Sequence, residues 1–313
     1  MLHKEPKKPD TPAPAEASAP SADDELSRRL REAISRKRPW QRTYFFLLLL
    51  ALISIFAFVA WWFWQRPQPP ELMVIGFDHV TRPGKQFTVR AATVPRQPGV
   101  DKWGGRDLFF QEVAPPLAES GQPVALRTGE HGMATATWTL KHPATMAEIE
   151  AIYIDDSMRP PWSDRARCRI FTWPSESRLL VLDVDPTMKN SNDWPALAKA
   201  LAEADSAGWR IVYLAVNANT PADYRPLRDW VIRLQSDLPV GPVLPRTKFP
   251  AGEADAVARK KVLAELKGEF SGPVLYMAGE PGLTLRTVGQ AGEFMGEPIG
   301  LAGWDKLAAA LPK

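Results

Sequence analysis

Cysteine is all but missing from this 313-residue chain: Cys168 stands alone, so no disulfide can close within it and no thiolate metal cluster can be built. Histidine is nearly as scarce. His3, His79, His131 and His142 are scattered without the spacing that converges three or four ligands on one ion, and they read as solvated or loop residues. A strong charge of either sign is missing too, since 39 Lys and Arg against 36 Asp and Glu leave a formal +3. Much of the basic surplus flanks one apolar run, and no basic footprint elsewhere points to nucleic acid as a partner. Proline, in contrast, is abundant at 31 residues, crowded in the first 20 positions and otherwise spaced as loop punctuation.

The composition divides the chain. Residues 1–42 read as a disordered, basic cytoplasmic tail; "MLHKEPKKPDTPAPAEASAPSADD" has almost nothing to bury. Within that tail "DELSRRLREAISRKR" has helical character, with Leu26, Leu30 and Ile34 on one face, as either a short amphipathic helix at a membrane surface or a charged helical linker. Residues 43–64, "TYFFLLLLALISIFAFVAWWFW", carry no charge, match the length of a bilayer core and end in aromatics. This run predicts a single uncleaved transmembrane helix, because it begins far from the N-terminus and exceeds the apolar region of a signal peptide. Seven Lys or Arg residues between Arg28 and Arg42, against Arg66 alone just beyond, predict a cytoplasmic N-terminus and an extracytoplasmic C-terminal part in a cell membrane.

Residues 65–69 form a proline-containing linker, the start of the stiff run "PQPP". From 70 to 174 short apolar or alternating segments recur about every 12 residues between turn-formers, the pattern of an all-β sandwich. The stretch "LRTGEHGMATATWTL" resembles the strand-turn-strand of bacterial Ig-like modules, which implies a spacer or binding domain. After Trp173-Pro174 the pattern changes. "SRLLVLDVD", "RIVYLAV", "GPVLPR" and "GPVLYMAG" read as buried strands, separated by helices opened at Asp193 and Thr220 and by "AVARKKVLAELKGEF". Residues 175–313 are thus expected to form a parallel α/β domain with its own core.

In such sheets ligands lie beyond the C-terminal strand ends. The first strand ends in Asp183-Val184-Asp185-Pro186-Thr187, which resembles the first motif, Asp-x-Asp-x-Thr, of the haloacid dehalogenase (HAD) superfamily. The likeness covers residues 176–304, and the order and spacing of "VYLAVNANTPADYRPLRDWVIRLQSDLPVGPVLPR" resemble the lipin-type, phosphatidate phosphatase-like branch. It implies a capless, Rossmann-like fold and an aspartyl-phosphate mechanism. Asp183 would be nucleophile and Mg²⁺ ligand, Asp185 a general acid/base and also a metal-site residue, Thr187 a catalytic residue of the same loop, Lys260 or Lys261 the charge-balancing lysine, and Glu280 a further metal ligand.

The sequence also departs from that pattern. The second-motif Ser or Thr falls on Ala215, with Asn217, Asn219 or Thr220 near enough to replace it, and the positions after Glu280 lack a second acid. Two functions follow from the resemblance. One is a membrane-anchored, Mg²⁺-dependent phosphohydrolase acting on a phosphomonoester or phospholipid headgroup; the other is a non-catalytic module that binds or scaffolds an envelope protein partner. In both the lipid bilayer is a partner.

Overall fold

The computed structural model describes residues 22–65, 72–96, 104–114, 124–129, 131–139, 145–156, 161–184, 188, 193–247, 249, 253–279 and 283–312. Residues 1–66 and 67–313 form two compact units.

The first unit is helix α1 (Ala22–Gln65), 44 residues without a break and about 66 Å long at the α-helical rise. Its segment Thr43–Phe63 is long and apolar enough to cross a membrane. Residues 22–42, grouped above with the disordered tail, are therefore helical. Asp23, Asp24 and Glu25 stand in the first turn, where the helix dipole favours acids. Arg29 pairs with Glu25 at 3.0 Å and Arg28 with Glu32 at 3.9 Å, both one turn apart. Helix growth from an existing apolar helix also avoids a second nucleation step. The rest of the tail, residues 1–21, lies outside the described residues.

The second unit opens with eight strands: β1 (Leu72–Gly76), β2 (His79–Thr81), β3 (Gln86–Pro95), β4 (Asp107–Ala114), β5 (Val124–Arg127), β6 (Met133–Thr139), β7 (Met146–Asp155) and β8 (Trp162–Thr172). They form a three-stranded sheet in the order β1-β3-β6 and a five-stranded sheet in the order β2-β8-β7-β4-β5. One cluster takes Val74, Val89 and Ala136 from the first sheet and Phe110, Ile149 and Cys168 from the second, so the sheets face each other across it. Strand alternation sorts β8 accordingly: Ala166, Cys168 and Ile170 point into the cluster, and Arg165, Arg167 and Arg169 lie on the opposite face. Asp164 Oδ2 accepts from Val74 N at 2.9 Å, tying β1 to β8.

Then follow β9 (Arg178–Asp183), α2 (Trp194–Ser206), β10 (Trp209–Ala215), α3 (Pro221–Leu234), β11 (Val243–Pro245), α4 (Asp255–Glu269), β12 (Val274–Ala278), β13 (Thr284–Val288), β14 (Phe294–Gly300), a 3₁₀ turn at Trp304–Lys306 and α5 (Leu307–Ala310). The caps form where the sequence places them. Asp193 accepts from Ala196 N, and Thr220 with Asp223 makes a reciprocal capping box ahead of Pro221. The sheet order is β11-β10-β9-β12-β13-β14. Its first four strands are parallel, whereas β13 and β14 are antiparallel additions, so the all-parallel expectation is corrected to a mixed sheet. The run "LTLRTVGQAGEFMGEPIG" escaped the sequence reading because its alternation is broken by glycines and its outer strand buries little.

The two halves of this unit do not keep separate cores. Ile75, Phe77, Ala92 and Val94 pack in one cluster with Leu180, Leu201, Tyr213 and Tyr224. Val80, Phe171 and Trp173 join another with Leu179, Val212 and Leu263. Between them sits Asp78, whose side chain has no exposure. Its Oδ1 accepts from Arg228 Nε (3.0 Å) and Nη2 (2.7 Å), and its Oδ2 from Arg169 Nε (3.1 Å), Arg169 Nη2 (2.5 Å) and Val243 N (3.0 Å). Burial works to raise the Asp78 pKa, but Arg228 and Arg169 outweigh it and hold the carboxyl below the usual carboxylate range. A buried charge this well satisfied joins β8, α3 and β11 in one network. The boundary at Pro174 is a change of secondary structure, not of packing.

Candidate functional site

β9 is the central parallel strand, with β10 on one side and β12 on the other, and the strand order reverses at its C-terminal end. Asp183, its last residue, thus stands at the position where α/β sheets gather ligands. Its side chain is fully buried. Oδ2 accepts from Arg259 Nε (3.0 Å) and Nη2 (2.8 Å) and from Tyr276 Oη (3.1 Å). Arg259 comes from α4 and Tyr276 from β12. Arg259 also lies over the Tyr276 ring, with Cζ 5.4 Å from the centroid, and Tyr276 stacks on Phe294 at 5.2 Å. Burial first, and then the Asp183 charge, push the Tyr276 phenol up, so it stays a neutral donor.

The supporting backbone is held by Arg246, which is fully buried. It donates to Val216 O from Nε (3.0 Å) and Nη2 (2.5 Å), to Glu253 O (3.1 Å) and to Asp255 Oδ1 (2.6 Å), so it ties the end of β10 to the start of α4. Gly292, in the β13–β14 turn at φ +74°, is placed against the backbone of α4, where a Cβ would strike Lys260 O and Ala264 N. These contacts fix the helix that carries Arg259.

Set against the sequence expectations, Asp183 stands at the end of β9, and the cation paired with it is Arg259 rather than Lys260 or Lys261. Lys260 is exposed, and Lys261 pairs with Glu253 instead. The signal for Arg259 lay one residue away in "ARKKVL"; only the helix phase relative to Ala258 and Val262, both buried, aims it at β9. Tyr276 and Arg246 were also missed, because an aromatic and an arginine in or beside strands carry no motif of their own.

Ala215 is buried one residue beyond Leu214, the partner of Asp183 in the β9–β10 register. Thr220 cannot take the missing hydroxyl role, since its Oγ1 caps α3 and donates to Asp223 at 2.7 Å. Asn217 is half-buried and Asn219 exposed. Asp185, Thr187 and Glu280 lie outside the described residues. Among the described residues no group of three His, Cys, Asp or Glu could hold a metal. Asp183 Oδ2 already accepts three donors, two of them from the one Arg259 guanidinium, so Mg²⁺ at that oxygen would have to break a buried ion pair.

No protein-family model matches the chain, and no curated protein matches it in sequence. Among solved structures it shows a distant similarity to the M1 domain from titin (8% identity, 33% of this chain and 95% of that one, TM-score 0.22). It is also similar to a sialyltransferase from Photobacterium damsela (9% identity, 61% of this chain and 34% of that one, TM-score 0.17). A family 123 glycoside hydrolase from Clostridium perfringens matches at 9% identity, over 46% of this chain and 34% of that one, with a TM-score of 0.17.

Proposed function

We propose that the protein is a single-pass membrane protein whose β and α/β parts form a non-catalytic binding module of the cell envelope, a HAD-like arrangement retained as architecture. The carrying observation is the buried Asp183 carboxylate, committed to Arg259 and Tyr276. An aspartyl-phosphate mechanism needs a carboxylate that can approach phosphorus in line. Here Oδ2 would first have to leave Arg259, which donates to it from both Nε and Nη2. Ala215 offers no hydroxyl to a phosphoryl group, and preorganised donors of that kind are each worth ~10²–10³ in rate. In this reading the strands of 72–172 act as an Ig-like spacer. The Arg28–Arg42 basic cluster keeps the N-terminus in the cytoplasm and the module on the other side.

The competing reading, a Mg²⁺-dependent phosphohydrolase, rests on Asp183 and Asp185 standing two apart at a strand end. The two separate cleanly in one experiment. Full-length protein in detergent micelles, wild type beside Asp183→Asn, is assayed with millimolar Mg²⁺ against phosphatidate and an aryl phosphate. Background rates in both chains are expected. Turnover that is robust in the wild type and abolished by the substitution would establish the enzyme.

A further inference from the structure

A cleft of about 320 Å³ runs between β8 and α3, and no part of the Asp183 cluster lines it. Its wall is built from arginine. Arg165, Arg167 and Arg169 come from alternate positions of β8, and Arg225 and Arg228 from successive turns of α3. Alternate strand residues on one face stand roughly 7 Å apart. The acids in the lining are Glu148 and Asp229, so five arginines against two carboxylates leave +3. Counting also Asp78, beneath the floor, and Glu150, which stands opposite Arg167 on the same face of the sheet, the surplus is still +1.

The five divide into a floor and a rim. Arg169 and Arg228 are buried and pinned by Asp78, with Arg169 also donating to Gln235 Oε1 (2.6 Å) and Arg228 to Arg167 O (2.8 Å). Arg165 and Arg167 keep 57% and 60% of their side chains exposed, each held by one nitrogen, to Glu150 (3.3 Å) and Glu148 (3.0 Å). Arg225 reaches Asp229 at 3.6 Å and places Nη1 2.8 Å from Met73 Sδ. Exposed pairs of this kind contribute little to stability. They do hold the guanidinium groups over the cleft. Among the described residues, Nε and Nη2 of Arg165 and Arg167, and Nη1 of Arg228, have no protein partner.

We propose that this cleft binds a ligand carrying more than one phosphoryl oxyanion. Donors converge from two walls, so the acceptor must take hydrogen bonds from several directions. A phosphoryl group offers three acceptor oxygens and up to two negative charges to such donors, whereas a carboxylate offers two oxygens that share one charge. The row along β8 offers successive sites for a second group. The site contains none of the Asp183 machinery, so it stands whether or not the protein hydrolyses anything.

The test is calorimetric titration of full-length protein in nonionic micelles with inorganic tripolyphosphate, orthophosphate and citrate, at low and high salt. Tripolyphosphate is expected to bind more tightly than either, to weaken with salt, and to lose about tenfold or more in affinity in an Arg167→Gln/Arg225→Gln double variant. Both side chains lie outside the Asp78 network, and an unchanged melting temperature verifies that the variant is folded. A phosphatidate-doped micelle forms the second arm: displacement of tripolyphosphate assigns the site to lipid headgroups, and failure to displace assigns it to soluble phosphate compounds. No binding at low salt, equal binding by the variant, or citrate binding as tightly as tripolyphosphate would overturn the proposal.

Discussion

At the scale of single residues, the interior of the larger unit holds ionisable groups in fixed states, and two predictions follow. Burial, with Arg90 adding to it, lowers the His79 pKa from 6.5 to about 4, and the ring stacks on Phe87 at 5.7 Å. A depressed histidine favours the folded state while both states are neutral. Between pH 6.5 and 4 the unfolded chain binds the extra proton, so this contribution is present above 6.5 and declines as pH falls toward 4. It amounts to roughly 3 kcal/mol, and a His79→Gln variant should show a flatter loss of melting temperature with acidification. Cys168 is the other case: burial pushes its thiol up to about 12 and Sγ lies 3.4 Å from Arg90 O. It should resist maleimide in the native protein at mildly alkaline pH and react on unfolding in denaturant; fast native labelling would contradict its packing.

Helix α4 makes the sharpest claim at the scale of elements, since three consecutive basic residues on it have three different fates. Arg259→Met should destabilise the protein by about 3 kcal/mol, the low end for breaking a buried pair because Arg259 is itself partly exposed. Lys260→Ala and Lys261→Ala should each stay within about 0.5 kcal/mol. Chemical denaturation of the three variants reads this directly, and a large effect at Lys260 with none at Arg259 would reverse the site assignment. The strand-end acid was legible as a motif in the sequence. Its partner was not, because a charge run on a helix has no direction until one face is buried, and Ala258, Val262 and Leu266 choose that face only against the sheet.

For the whole molecule, the question is whether residues 67–313 can be divided. Clusters that mix Phe77 with Tyr224 and Trp173 with Leu263, together with the Asp78 network, predict that they cannot. A truncated chain beginning at Ser175 would expose those faces and leave Arg228 without its carboxylate. It should be insoluble or lack a cooperative melt, and a sharp, reversible transition would show the α/β part to be self-sufficient. Orientation is tested at the same scale. Protease added outside cells with a permeable outer envelope should digest the C-terminal unit; removal of the N-terminal tail alone would invert the proposed topology.

The sequence by itself determined what depends on neighbours along the chain. The apolar helix at 43–63, most of the strands, the Asp193 and Thr220 caps and the position of Asp183 at a strand end all arise from local periodicity or local hydrogen bonds. Tertiary structure decided what depends on residues far apart in sequence. It paired Asp78 with Arg169 and Arg228, 91 and 150 positions away, brought Arg259 to Asp183 across 76, and set strand arginines beside helix arginines in one cleft. Charges are placed by what they meet once water has been excluded, and for the buried carboxylates of Asp78 and Asp183 the arginine partners all lie far away in sequence.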